Sequence, residues 1–151
     1  MILYLDTSAL IKLYVDEEHS EAVREVVARS EAVTTHTITY PETRATLARL
    51  HREGRLTADG LTEAKAAFEG EWGHFARVQA TEPLLHRAGE LAELLSLRGY
   101  DSVHLAAAEH VRVQTSGDVL FAAFDDRLTQ AAALLGLETL PQPRPSHPAR
   151  A

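Results

Sequence analysis

The chain has 151 residues, enough for one buried core but not for two full ones. Hydrophobic residues at 45% and charged residues at 25% give the balance of a globular protein, which excludes disordered and fibrous classes. The absence of cysteine removes disulfides, thiolate metal sites and thiol nucleophiles, and the formal net charge of -7 excludes a generally basic surface for nucleic acid.

The opening apolar run Ile2 to Leu5 predicts a strand buried on both faces, and Asp6-Thr7-Ser8 then supplies residues that cap a helix N-terminus. Ala22, Val23, Val26 and Val27 recur at helical spacing, which predicts a helix over 20–29, and residues 32–35 read as a second strand. Thr39-Tyr40-Pro41-Glu42 joins a capping threonine, a proline near the first helical position and an acid three residues on, so a helix starts there and runs to about His51. A further helix is predicted over 57–72 despite Gly60 and Gly70, followed by a short strand over 77–80. Thr81 and Pro83 open a helix carrying Leu84, Leu85, Ala88, Leu91, Ala92 and Leu95 that stops at Gly99, and Asp101 begins the next. Val119 to Phe124 is six apolar residues in a row, a strand leading into Asp125-Asp126 and a helix that ends near Gly136; residues 137–140 add a last strand.

Strands alternating with helices mean an α/β fold, with a parallel sheet covered on both faces. Residues 1–140 form the expected domain. Residues 141–151 hold four of the six prolines and too little apolar content to pack, so they are expected to be a flexible tail. No apolar run approaches the roughly 20 residues of a membrane span, and the start MILYLDTS has neither the basic region nor the cleavage site of a signal peptide, so a cytoplasmic protein is expected.

Asp6 and Asp125 each follow a strand, while Glu42 and Asp101 each open a helix. In an open parallel sheet such junctions lie at the carboxyl ends of the strands, where ligands bind, so the four acids can share one pocket. Taken singly, each acid is explained by capping alone, Glu42 as the acid of a capping box. Their conjunction, each among small or apolar neighbours in LYLDTSAL, TYPETRA, GYDSVHLAAA and FAAFDDRL, is what points to a site.

The order Asp6, Glu42, Asp101, Asp125, with YLDTSALIKLYVDE, DSVHLAAA and FDDRL around three of them, resembles the PIN-domain ribonucleases, and among them the VapC toxins of toxin-antitoxin pairs. The resemblance covers about residues 1–140. It implies a three-layer α/β/α sandwich around a mainly parallel sheet, with four acids holding Mg²⁺ or Mn²⁺. It also implies endoribonuclease cleavage leaving a 5′-phosphate, a homodimer, and a partner antitoxin that covers the acidic pocket. Asp6 and Asp101 are the first choice as metal ligands, with Asp125 and Glu42 acting directly or through water. The pattern departs at Ala123, where the family often has Thr or Ser; either a polar contact is lost, or Thr7 or Ser8 supplies the hydroxyl.

Mg²⁺ prefers oxygen ligands, so His104, one turn after Asp101, is expected to be packed or to contact a ligand rather than to bind metal itself. Lys12 reads as a surface or snorkelling side chain. Arg44, Arg49, Arg52 and Arg55, with His51, give the segment after Glu42 a local basic excess that fits RNA phosphates and a solvated helix face equally well. Phe68, Trp72 and Phe75 form a stripe expected in the core or at a subunit interface. The competing reading is a catalytically weak or inactive PIN-like module that binds RNA or a protein partner. A phosphoacceptor domain lacks a second acid beside Asp6 and a glycine-rich phosphate loop, and a serine hydrolase lacks GxSxG.

Overall fold

A computed structural model describes residues 1–143. Along the chain run β1 (Ile2–Leu5), α1 (Thr7–Leu10) continuing into a 3-10 turn (Ile11–Leu13), α2 (Ser20–Arg29), β2 (Ala32–His36), α3 (Thr39–Arg52) and α4 (Ala58–Trp72). There follow β3 (Ala76–Val78), α5 (Glu82–Leu95), α6 (Gly99–Thr115), β4 (Val119–Ala122), α7 (Asp126–Leu134) and β5 (Glu138–Leu140). The strands form one sheet in the order β3-β2-β1-β4-β5, and every neighbouring pair is parallel. The tail expected over 141–151 lies, from residue 144 onward, outside the described residues.

Alternation along the central strands builds the three layers. Leu3 and Leu5 of β1, with Ala122 of β4, pack on one face against Ala9 and Leu10 of α1, Val23 and Val26 of α2, and Phe68 of α4. Tyr4 of β1 and Phe121 of β4 face the other way, onto Leu91, Leu105 and Leu128 of α5, α6 and α7. Successive side chains on a strand point to opposite faces, so one short apolar run seeds both cores. This is why β1 and β4 carry apolar residues at nearly every position instead of alternating with polar ones.

The chain leaves β1 toward β2 and β3 on one side, and its last strands, β4 and β5, lie on the other. The switch point therefore falls between β1 and β4, which pair from Ile2 with Val119 through Leu5 with Ala122. Crevices at the carboxyl ends of such strands are where α/β proteins bind ligands. Asp6 follows β1 there and Asp125 follows β4.

Several boundaries differ from the sequence expectation for identifiable reasons. β4 stops at Ala122, two residues short of the apolar run, because the Phe124 N–H donates to Ser8 Oγ at 3.0 Å. The helix expected from Asp101 begins at Gly99. Thr39 does not cap α3: its hydroxyl hydrogen-bonds Thr35 Oγ1 at 2.7 Å, and Ile38 takes the cap position with no side-chain bond. Phe75 lies past the end of α4, where the chain turns back, and packs edge-on against Trp72. Phe68 and Phe75 are both buried, which places that stripe in the core.

Candidate active site

Asp6 sits at the end of β1 as the N-cap of α1, its Oδ1 accepting from Ala9 N at 2.9 Å and Ser8 Oγ at 2.7 Å. The same Ser8 oxygen receives the Phe124 N–H, so one hydroxyl ties Asp6 to the segment leading into Asp125. Ser8 thereby makes the polar link between the first and fourth motifs, while Ala123 is buried in the apolar core. Asp6 is 4% exposed. Burial pushes its carboxyl up to about 6, and neighbouring Asp101 adds to the rise, while His104, Ser8 and the Ala9 N–H pull against it.

Glu42 is not engaged in a capping box. Its Oε1 accepts from Thr7 Oγ1 at 2.7 Å and lies 2.8 Å from His104 Nε2. On the far side of that ring, His104 Nδ1 is 2.8 Å from the hydroxyl of fully buried Tyr4. Both ring nitrogens and the phenol are paired when Tyr4 donates to Nδ1 and the Nε2–H donates to Glu42. Burial holds the Tyr4 phenol well above its usual range, as do the nearby Asp6 and Glu42 charges, so it remains a donor. For Glu42, burial works against the charged form, but the contacts with His104 and Thr7 outweigh it and keep the carboxyl below its ordinary value.

Asp101 lies in the first turn of α6, and Asp125 caps α7 by accepting from Leu128 N at 3.0 Å. Arg98 spans the two. Its Nε donates to Asp101 Oδ2 at 3.0 Å, and its Nη2 is 3.5 Å from Asp125 Oδ2. Asp126, adjacent to Asp125, is the first residue of α7 and lines the neighbouring cavity instead.

All four acids line one cavity of about 370 Å³, together with Thr7, Ser8, His104, Arg49 and Arg55. The structure divides the arginines of α3 and its sequel. Arg49 and Arg55 face this cavity, whereas Arg44 is engaged with Glu69 at 2.8 Å and Tyr40 at 3.0 Å, and Arg52 does not line the cavity. A larger cavity of about 1010 Å³ adjoins it, sharing Lys12, Arg98, Asp101, Phe124 and Asp125. Lys12 is not a surface residue. It is 7% exposed, donates to Glu17 Oε1 and the Glu18 carbonyl, and its ammonium lies 4.6 Å from the centre of the Phe124 ring.

The residues that sequence reasoning missed are Tyr4 and Arg98. Arg98 was accessible through its spacing, since residues three apart on a helix meet. Tyr4 was not, because its partner is 100 residues away. His36, at the end of β2, was also missed. Burial, with the neighbouring His104, lowers its pKa to about 4; its Nδ1 accepts from Ile38 N, and Nε2 has no partner among the described residues.

The donor set suits a hard divalent cation, which prefers carboxylate and water oxygens. Asp6 Oδ2, Glu42 Oε2 and Asp101 Oδ1 make no hydrogen bond within the described residues, so each acid keeps an oxygen to offer. Asp6 in particular is a carboxylate whose burial a cation would compensate. Among the described residues, no three acids or histidines already stand close enough to hold one ion together. Asp101 and Asp125 instead share one cation, Arg98.

A family model described as "PIN domain" matches residues 3–134. "Ribonuclease VapC45" of Mycobacterium tuberculosis is 34% identical over 142 residues, covering 93% of this chain and 95% of the relative. Among solved structures, FitAcB from Neisseria gonorrhoeae aligns with a TM-score of 0.63 at 21% identity, covering 98% of this chain and all of the other. VapBC2 from Rickettsia felis, solved bound to a DNA fragment from its promoter, aligns with a TM-score of 0.59 at 11% identity, covering 92% and 97% of the two chains. The chain belongs to the PIN-domain family and, within it, to the VapC-type proteins.

Proposed function

We propose that this chain is a divalent-cation-dependent endoribonuclease that acts in the cytoplasm as the toxin of a type II toxin-antitoxin pair, hydrolysing RNA phosphodiester bonds. The observation that carries this reading is the meeting of Asp6, Glu42, Asp101 and Asp125, from four separate segments, in one cavity at the switch point of the sheet. A relative named a ribonuclease, aligned over nearly the whole chain, supports it. Family membership carries the further expectation of a homodimer and of an antitoxin that covers the pocket.

Asp6 and Asp101 are assigned to hold Mg²⁺, or Mn²⁺ in its place, with Asp125 and Glu42 joining directly or through water. When bound, a hard dication supplies charge to the phosphate oxygens and a more acidic water for in-line attack. The chain's own contribution is positioning. Thr7 and His104 fix one oxygen of Glu42 and leave the other to orient the attacking water or accept its proton. Ser8 locks Asp6 to the segment that bears Asp125, so two of the acids move as one unit.

Arg49 and Arg55 are the phosphate contacts in this reading, and Arg44 is not. Arg49→Ala and Arg55→Ala should each weaken binding of single-stranded RNA across sequences and lower the slope of log affinity against log salt by about 0.7. Arg44→Ala should leave that slope unchanged. Fluorescence anisotropy over a salt series checks both.

The decisive assay incubates purified, partner-free chain with total RNA, with and without Mg²⁺, beside Asp101→Asn. Fragments are expected from the parent only, and only with the metal. Equal cutting by the variant would place the activity elsewhere. No cutting of any RNA would favour the module that binds without hydrolysis.

A further inference from the structure

Arg98 stands at the rim of the acid cluster, held by its ion pairs with Asp101 and Asp125. It occupies the N-cap position of α6 without a side-chain capping bond, and its side chain is 75% exposed. Among the described residues, no other arginine or lysine forms an ion pair with any of the four acids. It also lines both the 370 Å³ cavity that holds the acids and the 1010 Å³ cavity beside it, so it sits on their common rim.

Building on the function proposed above, we infer that Arg98 is a cation with two positions. In the metal-free chain it is the counter-ion of Asp101 and Asp125. Once a divalent ion is held by Asp6 and Asp101, with Asp125 joining directly or through water, Arg98 is freed to bind the RNA phosphate beside the scissile bond. A dication held through Asp101 draws on the carboxylate whose Oδ2 Arg98 engages and repels the guanidinium beside it, so the two cations compete there. The displaced side chain stays tethered at the rim, where the incoming anion is a phosphodiester, and its planar fork suits two parallel hydrogen bonds to phosphate oxygens. The structure thus supplies its own placeholder for the metal, and that placeholder becomes a substrate contact.

This double role predicts opposite signs for one substitution. Arg98→Ala removes a competitor and so should tighten Mn²⁺ binding. An exposed ion pair is worth roughly 0.2–1 kcal/mol, so the gain should be about 1.4- to fivefold. At saturating Mg²⁺ the same variant should raise KM for a fluorescent oligoribonucleotide about three- to tenfold while changing kcat less. Arg98→Lys should return Mn²⁺ affinity to the parent value and recover part of the KM loss.

Calorimetric or paramagnetic titration of metal-free protein with Mn²⁺ gives the first readout, and steady-state cleavage the second, with circular dichroism checking that each variant is folded. A parent that binds Mn²⁺ and cuts RNA while Arg98→Ala weakens both affinities would make Arg98 a prop for the acids and overturn this inference alone. Unchanged Mn²⁺ affinity in Arg98→Ala would do the same. A parent that takes up no Mn²⁺ overturns the functional reading, and this inference with it.

Discussion

Asp6→Asn is expected to abolish metal-dependent RNA cleavage and, in the same molecule, to make the metal-free chain more stable at neutral pH. The first effect follows from removing a charged donor of the proposed metal site. Loss of groups that merely orient ligands costs about 10–100-fold in affinity or activity, so loss of a ligand should cost at least about a hundredfold. The second follows from burial. The Asp6 carboxyl, 3.8 in its ordinary state, is pushed up to about 6 in the folded chain, chiefly by desolvation.

A raised carboxyl pKa means that the folded state holds the proton more tightly than the unfolded one. The associated stability is fully present below about pH 4 and is lost as pH rises through about 6. A shift of about two units corresponds to about 3 kcal/mol at pH 7. Asparagine keeps the oxygen that Ser8 and the Ala9 N–H use, and it carries no charge to desolvate. Urea unfolding without metal should therefore find Asp6→Asn more stable than the parent by about 1–3 kcal/mol at pH 7.5, with the gap closing toward pH 4. Mg²⁺ should narrow it at neutral pH by stabilising only the parent. A variant less stable than the parent at pH 7.5 would mean that the buried charge is not a cost, and relief of that cost could then no longer drive metal uptake.

The same residues explain why parts of this protein can be read from its chain and parts cannot. Ile2 to Leu5 and Val119 to Phe124 announce central strands because a strand covered on both faces must be apolar at every position, and that demand is local. Asp6 and Asp125 follow these strands, so their place at the sheet's carboxyl edge could be read with them. Where reading fails, a distant partner has overruled a local pattern. Thr39 and Glu42 carry the spacing of a capping box, but Thr35 takes the threonine hydroxyl, and Thr7 and His104 take the carboxylate. Phe124 continues an apolar run, but Ser8, 116 residues away, draws its N–H out of the ladder. Lys12 resembles any helix lysine until Glu17, the Glu18 carbonyl and the Phe124 ring close around it. In each case the residues at the site depart from local preference because the sheet has brought a stronger partner into reach.

The largest loss of stability is expected at His104, from a ring that touches no proposed ligand except Glu42. His104→Leu fills similar space but leaves the Tyr4 hydroxyl buried without an acceptor and removes the donor from Glu42. The orphaned hydroxyl costs about 1–3 kcal/mol and the lost hydrogen bond to a carboxylate about 1.5–3 kcal/mol, so the variant should lose about 3–4 kcal/mol. Tyr4→Phe removes only the hydroxyl. The ring still stacks on Phe121 with centroids 5.6 Å apart, so the cost is that of His104 Nδ1 left bare, about 1–2 kcal/mol. In the double variant the Tyr4 hydroxyl is no longer there to be orphaned. It should therefore be less destabilised than the sum of the two single losses, by about 1 kcal/mol or more. Denaturant unfolding of the four proteins at one pH measures this coupling, and strict additivity would dissolve the relay from Tyr4 through His104 to Glu42. The variants should also separate in cleavage. Tyr4→Phe keeps the Nε2 contact to Glu42 and most of the activity, whereas His104→Leu leaves Glu42 held by Thr7 alone and should lower kcat at saturating Mg²⁺ by at least about tenfold.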